Sequence, residues 1–314
     1  MGGGGRRWLG VVALTGVLAG CGDGTPTGVV DVQTAWHDVD VLGATRRYRL
    51  YEPLSTPNGD VRTPAPLLLL FHGATQGAAG IELMSWLYGA ADAEGLLVAY
   101  PEAAGDYWNT PNSPPSYWSV PDVQFVDAIV EDVALAHALD RDRVFVAGFS
   151  NGAIFAQVVA CLRGESIAAL AVVGAGMSAG VSASCPWHRP MPTVVFFGDA
   201  DPQFFWDDGL AAAVGMLGGP GSMTWLADHN GCAPEPTIFD LGPDPDSGTE
   251  AELSRFPDCA DGADVDFYRL IRGGHTWPGS PMNLGAGFGR KNRTLDANST
   301  MVDFFLSHPL GTGS

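Results

Sequence analysis

Continuous apolar runs alternate along this chain with stretches in which apolar and polar positions recur at helical spacing. The runs PLLLLF at 66–71, VFVAGF at 144–149 and TVVFFG at 193–198 are typical of strands covered on both faces of a sheet. The segment DVQFVDAIVEDVALAHALD at 122–140 has the spacing of an amphipathic helix. This alternation of strands and helices predicts an α/β fold with a mostly parallel central sheet and helices on both faces.

Shorter patterns extend the predicted order. We predict an exposed antiparallel strand at 44–52, a helix at 81–95 that ends at Gly95, and a closing helix capped by Asn298 or Ser299. The acidic segment 242–262, rich in Pro and Gly, is expected to be a solvated excursion held by Cys259. The remaining predicted strands are 96–101, 166–176, 237–242 and 265–271.

The first 20 residues differ from the rest of the chain. Arg6 and Arg7 precede the apolar segment WLGVVALTGVLAG, and Cys21 follows it. A basic start, an apolar stretch and small residues form a signal peptide pattern, and LAGC resembles a lipobox, whose cysteine becomes lipidated. A plain secretory signal with an unmodified Cys21 is the alternative, and the arginine pair does not decide the export route. The predicted division is a lipoprotein-type signal peptide over 1–20, a tether over 21–40 and a single domain over 41–310.

Composition narrows the possible partners. The chain has 314 residues, of which 46% are hydrophobic, so it can bury a substantial core. Its net charge of −19 becomes −21 when the two arginines of residues 1–20 are removed, because no acidic residue leaves with them. Such a surface repels nucleic acid and anionic lipid headgroups. We therefore expect no nucleic-acid partner and a membrane contact only through the N-terminal lipid anchor; oligomeric state is not predicted.

Four cysteines lie beyond Cys21, and an even number in an exported chain indicates disulfides. Four cysteines allow three pairings, and we expect the sequential one, which closes two local loops worth about 3–4 kcal/mol each. A metal site is the weaker interpretation, because no Cys-x-x-Cys or His-rich spacing accompanies them. Neither a metal nor a cofactor is therefore expected. The predicted bonds are Cys161–Cys185 and Cys232–Cys259.

The chemistry of the chain centres on RVFVAGFSNGAIFAQVVACL at 143–162, which predicts a buried strand, a sharp turn and a helix. The turn places Ser150 between Gly148 and Gly152, where it can meet a base that takes the proton of its hydroxyl. The first N–H groups of a helix are unpaired, so the N–H of Asn151 is available to an oxyanion. A chance match in a chain with 42 glycines is the alternative.

A base and an acid should follow Ser150 along the chain, as in serine hydrolases with such an elbow. His275, in GGHTWPG, follows a predicted strand and lies in a loop that its glycines allow to be tight. The segment GDADPQ offers two acids, of which we choose Asp201 to orient His275. Asp199 stays the alternative acid, with turn capping as its structural role. The later histidines expected to be structural or exposed are His188, His229 and His308.

The second oxyanion donor should come from the loop after an early strand. FHGATQG at 71–77 fits this position, with the backbone N–H of Ala74 or Thr75 as the donor. His72 is expected to be a scaffold residue that hydrogen-bonds this loop rather than a base.

Aromatic residues gather in the same predicted loops as the chemistry, and their rings offer flat apolar surface for an acyl group or a sugar. Core packing is expected for about half of them. The predicted substrate-binding residues are Trp108, Trp206 and above all Trp277, from a wider set that includes Tyr107, Tyr117, Trp118, Phe204 and Phe205.

Several segments taken together resemble the exported polyhydroxybutyrate depolymerase and feruloyl esterase-like α/β-hydrolases, over most of residues 44–308. They are LLLLFHGATQ, GLLVAYPE, RVFVAGFSNGA, GDADP with DDGLA, HNGC and GGHTWPG. The elbow occurs in many hydrolases, but GFSNGA followed by GGHTWPG is specific. Two departures are visible: FFGDADP lacks the His of HGxxD, and GGPGSMTW interrupts a helix that is usually continuous.

The resemblance implies an α/β-hydrolase fold and a serine esterase with Ser150, Asp201 and His275 as its triad. Its substrate would be a small-molecule or polymeric ester, either feruloyl or acetyl esters of plant polysaccharide or a hydroxyalkanoate polyester. A peptidase of related fold is one alternative. The other is a surface lipoprotein that binds polysaccharide without turning it over, which the ordered triad argues against.

Overall fold

The computed structural model describes residues 34–54 and 63–311, and one sheet runs through the centre of this part of the chain. Its strands, in chain order, are β1 (Thr34–Val41), β2 (Ala44–Tyr51), β3 (Ala65–Phe71), β4 (Leu97–Pro101), β5 (Leu139–Phe149), β6 (Leu170–Val173), β7 (Thr193–Gly198), β8 (Thr237–Asp244), β9 (Thr249–Phe256) and β10 (Val265–Ile271).

The strand order from one edge to the other is β1-β2-β4-β3-β5-β6-β7-β10-β9-β8. The six central strands from β4 to β10 are parallel, whereas β1 and β2 at one edge and β9 and β8 at the other pair antiparallel. The α/β-hydrolase architecture with a mostly parallel sheet is thereby confirmed.

Helices cover both faces of the sheet. On one face α3, α4 and α7 pack against side chains such as Phe71 and Phe267, and on the other α1, α2 and α8 pack against side chains such as Leu70 and Phe145. Both cores consist of buried apolar residues, and the residues of the continuous apolar runs are among them, as predicted. The helices are α1 (Ala78–Ser85), α2 (Tyr88–Glu94), α3 (Asp122–Ala136), α4 (Asn151–Leu162), α5 (Ala179–Ser184), α6 (Asp208–Ala212), α7 (Gly219–His229) and α8 (Ala297–Leu306), with short 3₁₀ turns at Pro115–Tyr117, Ala260–Gly262 and Ala286–Phe288.

The N-terminal boundary of the sheet corrects one expectation. Residues 34–40, which we expected in the tether, belong to β1, which pairs along its whole length with β2. The predicted domain start at residue 41 is therefore too late. The predicted signal peptide over 1–20 and the predicted lipidation site Cys21 lie outside the described residues. No helix of the described part of the chain is long and apolar enough to cross a membrane.

The helix expected over 81–95 is divided in two. Trp86 adopts a left-handed conformation with a φ of 52°, and its N–H donates to the carbonyl of Glu82, which ends α1. The chain then restarts as α2, which ends at Gly95 as expected. The helix expected over 122–140 also ends early, because His137 is extended and β5 begins at Leu139.

The acidic segment 242–262 is not a solvated excursion, because most of it forms β9 and its hairpin with β8. Strand β9 buries Ala251, Leu253 and Phe256 while it pairs with β10. The cap of the last helix also differs from the prediction. Asp296, rather than Asn298 or Ser299, caps α8 by accepting the N–H of Asn298.

Candidate active site

Ser150 lies at the turn between β5 and α4, in a conformation that its surroundings enforce. Its φ of 57° and ψ of −123° are rare for a residue with a side chain. A methyl group added at Gly148 would lie 2.1 Å from the carbonyl oxygen of Gly152, and one added at Gly152 would lie 2.3 Å from that of Phe71. Only glycine fits at either position, so the close packing of backbone holds Ser150 at the tip of the elbow.

His275 and Asp201 meet at the ends of neighbouring parallel strands. Asp201 follows β7 and His275 follows β10, and Asp201 Oδ2 lies 2.7 Å from His275 Nδ1. The other carboxylate oxygen, Oδ1, accepts the N–H groups of Gln203 and Phe204 at 2.7 and 2.9 Å. Both side chains are buried. The carboxylate therefore fixes the imidazole so that Nε2 is free to act on another group.

Asp199, the alternative acid, points to different partners. Its Oδ2 pairs with the guanidinium of Arg269 at 2.8 Å, and its Oδ1 accepts the backbone N–H of Arg272 at 2.6 Å. These contacts tie the end of β7 to the end of β10. Of the two aspartates, the structure therefore places only Asp201 against His275.

The elbow and the imidazole are brought together through Phe149 and Gly174. The N–H of Ser150 donates to the carbonyl of Val173 at 3.0 Å, and a methyl group added at the next residue, Gly174, would lie 2.7 Å from Phe149 Cε2 and 3.6 Å from His275 Cε1. The rings of Phe149 and His275 lie 4.8 Å apart. Within the described residues, no hydrogen bond joins the Ser150 hydroxyl to His275; such bonds are often long in enzymes without substrate.

Neither the backbone N–H of Asn151 nor that of Ala74 has an acceptor among the described residues. The loop that carries Ala74 packs on the elbow, since a methyl group at Gly73 would lie 3.4 Å from the Cβ of Ser150. Thr75, the other expected donor, is wrong for this role because its N–H donates to the carbonyl of Asp106 at 2.8 Å. Of the three expected donors, Asn151 and Ala74 thus have N–H groups available to an oxyanion.

His72 is a scaffold residue in the structure. Its Nδ1 lies 2.7 Å from the carbonyl oxygen of Gly73, and its Nε2 accepts the N–H of Ala103 at 3.1 Å. Burial lowers its pKa, which keeps the ring neutral and able to accept that bond. Of the later histidines, His188 is exposed and distant from these contacts, His229 stacks on Trp225, and His308 lies beside Asp264.

Two of the three expected substrate-binding tryptophans belong to the core, which corrects those predictions. Trp108 is fully buried and stacks on Phe155 at 4.8 Å, and Trp277 is 1% exposed with its indole N–H bonded to Asn298. Trp206 is half-buried and has Arg269 over its ring at 4.8 Å. None of these contacts reaches His275.

The rings that border His275 are instead Phe149, Phe204 and Phe288, with centroids 4.8, 5.6 and 6.2 Å from the imidazole. Phe204 was in the wider aromatic set. Phe149 and Phe288 were missed, although the position of Phe149 next to Ser150 was a usable signal. Phe288 lies close to His275 only because its loop folds back, and the carbonyl of Phe288 accepts the N–H of His275 at 2.7 Å.

Both disulfides are present in the sequential pairing. Cys161–Cys185 joins the last turn of α4 to the residue after α5, and Cys232–Cys259 joins the residues after α7 to those after β9. No group of three or more His, Cys, Asp or Glu side chains in the described part of the chain could hold a metal ion.

Comparisons with known proteins find esterases among the relatives of this chain. The chain is 31% identical over 302 residues to NocK of Nocardia uniformis subsp. tsuyamanensis, a protein whose name assigns it to the esterases, and the match covers 88% of this chain and 84% of that protein. It is 27% identical over 222 residues to feruloyl esterase B of Piromyces equi, covering 67% of this chain and 39% of that protein.

A feruloyl esterase module from Clostridium thermocellum, solved with sinapinate, shares the fold. Its TM-score is 0.56 at 11% identity, and the superposition covers 90% of each chain. No family model matches the sequence.

Proposed function

This chain belongs to the feruloyl esterase-like α/β-hydrolases and is a carboxylic ester hydrolase, and we propose that Ser150, His275 and Asp201 carry its reaction through an acyl-enzyme. The observation that carries the proposal is the buried Asp201–His275 hydrogen bond of 2.7 Å at the sheet end where the Ser150 elbow lies. An acid that orients a histidine beside a strained serine is the arrangement of acyl transfer.

Each side chain has one role in the proposed reaction. The Ser150 oxygen attacks the ester carbonyl carbon while His275 Nε2 takes the hydroxyl proton, and the carbonyl oxygen becomes an oxyanion held by the N–H groups of Asn151 and Ala74. His275 then protonates the leaving alcohol as the ester C–O bond breaks. Water, deprotonated by His275, attacks the acyl-enzyme and releases the carboxylic acid and the free Ser150 hydroxyl. Asp201 stabilises the imidazolium throughout.

We propose that the substrates are esters of phenolic acids on plant polysaccharide. One relative is a feruloyl esterase, and the half-buried rings of Phe204 and Phe288 beside His275 offer apolar surface to an aromatic acyl group. A panel of methyl ferulate, acetylated xylan and a hydroxybutyrate oligomer tests this. Fastest turnover of methyl ferulate supports the proposal, and turnover confined to the hydroxybutyrate oligomer contradicts it.

The catalytic role of Ser150 has its own test. Ser150→Ala should retain the fold and lose turnover of every ester in the panel, whereas Ser166→Ala, at an exposed position, should match the wild type. Covalent labelling by a fluorophosphonate should occur on the wild type and disappear in Ser150→Ala. Labelling of the Ser150→Ala variant at another serine, with activity kept, would contradict the assignment.

We also propose export with a lipid anchor on Cys21 and a single catalytic domain that begins at β1 and ends by residue 310. The two disulfides support an oxidising compartment. Mass spectrometry of the protein from its native cells should find a lipidated Cys21 as the first residue. An unmodified N-terminus downstream of Cys21 would contradict the anchor.

A further inference from the structure

Trp108, a buried core residue, lies between the two segments that carry the oxyanion donors. Its indole N–H donates to the carbonyl oxygen of His72 at 2.9 Å, and its backbone N–H donates to Asn151 Oδ1 at 2.9 Å. The ring is fully buried and stacks on Phe155 with an interplanar angle of 6°. One residue is thus hydrogen-bonded to the elbow and to the loop after β3.

On the elbow side, the amide of Asn151 is held at both ends. Its oxygen accepts from Trp108, and its Nδ2 donates to Ser113 Oγ at 3.2 Å. Ser113 Oγ in turn donates to the carbonyl of Trp108 at 2.6 Å, which closes a ring of bonds. Asn151, whose backbone N–H is a proposed oxyanion donor, is therefore fixed through its own side chain.

On the other side, the carbonyl of His72 lies two residues before Ala74, the second donor. The same carbonyl oxygen would be 2.4 Å from a methyl group at Gly152, so it packs against the first turn of α4 as well as receiving the indole N–H. The loop from His72 to Ala74 is a turn without strand partners, and the Trp108 bond adds a fixed point to it.

We propose that Trp108 is a positioning residue of the oxyanion hole, which sets the separation between the N–H groups of Asn151 and Ala74. The proposal rests on the esterase function proposed above. Oxyanion donors act only when they lie about 2.7–3.1 Å from the developing charge, and an error of about 1 Å can cost about 100-fold in rate. The two donors, Ala74 and Asn151, are 77 residues apart in sequence. A direct link between their segments therefore serves to fix the distance between the two N–H groups.

Trp108→Phe tests the proposal, because phenylalanine retains stacking on Phe155 and removes the indole N–H. We expect kcat for an aryl ester to fall about 10- to 100-fold while KM changes little, since ground-state binding does not use the oxyanion donors. Affinity for an aryl trifluoromethyl ketone, whose adduct with Ser150 carries an oxyanion, should fall in parallel with kcat.

Trp225→Phe is the matched control. Trp225 is half-buried and stacks on His229 with centroids 4.8 Å apart and an interplanar angle of 8°, close to the geometry of Trp108 on Phe155. The change therefore deletes the same indole N–H from a stacked tryptophan in α7, a helix that carries none of the residues of the oxyanion network. Its kcat should equal that of the wild type.

A second variant keeps the test sharp if Trp108→Phe does not fold. Asn151→Ala retains the backbone donor and removes the side-chain link to Trp108, so it should lower kcat with little change in KM. If both single variants fold, the fall in kcat of the double variant should be smaller than the product of the two separate falls. The reason is that each single variant already breaks the connection through Trp108 between the two donor segments.

Equal kcat for Trp108→Phe and Trp225→Phe in an active enzyme would overturn the inference, as would a parallel change of kcat and KM with no loss of ketone affinity. These results leave the proposed function intact. A wild type that neither hydrolyses aryl esters nor is labelled on Ser150 would instead refute the proposed function itself.

Discussion

The centre of the sheet and its β8 edge are packed in opposite ways. Every residue of β6 and β7 is buried, whereas the first five residues of β8 are exposed. A methyl group added at Gly148, in β5, would meet backbone at 2.1 Å, whereas one added at Gly242, in β8, would meet nothing within 4 Å. The central strands carry Ser150, Asp201 and His275 at their carboxyl ends, and the edge carries none of them.

The difference shows why the chemistry lies at the centre. A serine at a φ of 57° is costly by itself and persists where surrounding backbone leaves no other conformation. An edge strand has solvent on one side and gives no such restraint. Substitutions at the centre should therefore change activity and stability, and those at the edge should change neither, which four predictions examine from the largest effect to the smallest.

The largest effect should separate two aspartates at the end of one central strand. Asp201→Asn should lower kcat by about 10⁴-fold, because an amide at Oδ2 favours the wrong imidazole tautomer. Asp199→Asn should keep most of the activity and lower the melting temperature, because it loses the Arg269 pair. Ester turnover and thermal melting measure both. An inactive Asp199→Asn beside an active Asp201→Asn would reverse the assignment.

The second prediction concerns backbone packing at the elbow. Gly152→Ala should lower the free energy of unfolding by about 3 kcal/mol or more, because its Cβ would lie 2.3 Å from the carbonyl oxygen of Phe71. Gly89→Ala, at an exposed position of α2 where a Cβ meets nothing, should raise it by about 0.5–1 kcal/mol. Urea denaturation gives both values. A stable Gly152→Ala variant would mean that the elbow can relax.

The third prediction compares the two disulfides. Their sequence separations of 24 and 27 residues are similar, so removing either bond by paired Cys→Ser changes should cost a similar free energy of unfolding, about 3 kcal/mol. Cys161–Cys185 holds α4, which begins at the elbow, so its loss should also lower kcat. Cys232–Cys259 anchors the chain after β9, the strand next to the edge strand β8, and its loss should leave kcat unchanged. Equal changes in kcat on removal of either disulfide would contradict the predicted difference between them.

The smallest effect is expected at the edge itself. Ile238→Thr in β8, where the side chain is 60% exposed, should change the free energy of unfolding by less than about 0.5 kcal/mol and leave ester turnover unchanged. Val172→Thr in β6 introduces the same residue at a fully buried position. It should lower the free energy of unfolding by about 1–3 kcal/mol, because the buried hydroxyl loses its hydrogen bonds to water. A large loss for Ile238→Thr would show that another surface covers the edge.

Local patterns were enough to predict the central elements. The apolar runs around Leu70, Val146 and Val195 predicted strands covered on both faces, and Gly148-x-Ser150-x-Gly152 predicted a tight strand-to-helix turn; the structure has both. The sequential disulfide pairing, chosen among three because it closes two local loops, is also present. These features depend on neighbours in sequence, where period and turn chemistry are read directly.

Contacts between distant segments decided the rest. Asp199 and Asp201 are two residues apart and chemically identical, and only Arg269 in β10 and His275 in the loop after β10 distinguish them. The acidic β9 is a strand because β10 pairs with it. Trp108 and Trp277 resembled binding-site residues and are core residues, because burial depends on which loops fold over a ring. The periodicity of a sequence predicts the helix or strand to which a residue belongs. These outcomes instead depend on which other helices, strands and loops pack against that residue in the folded chain.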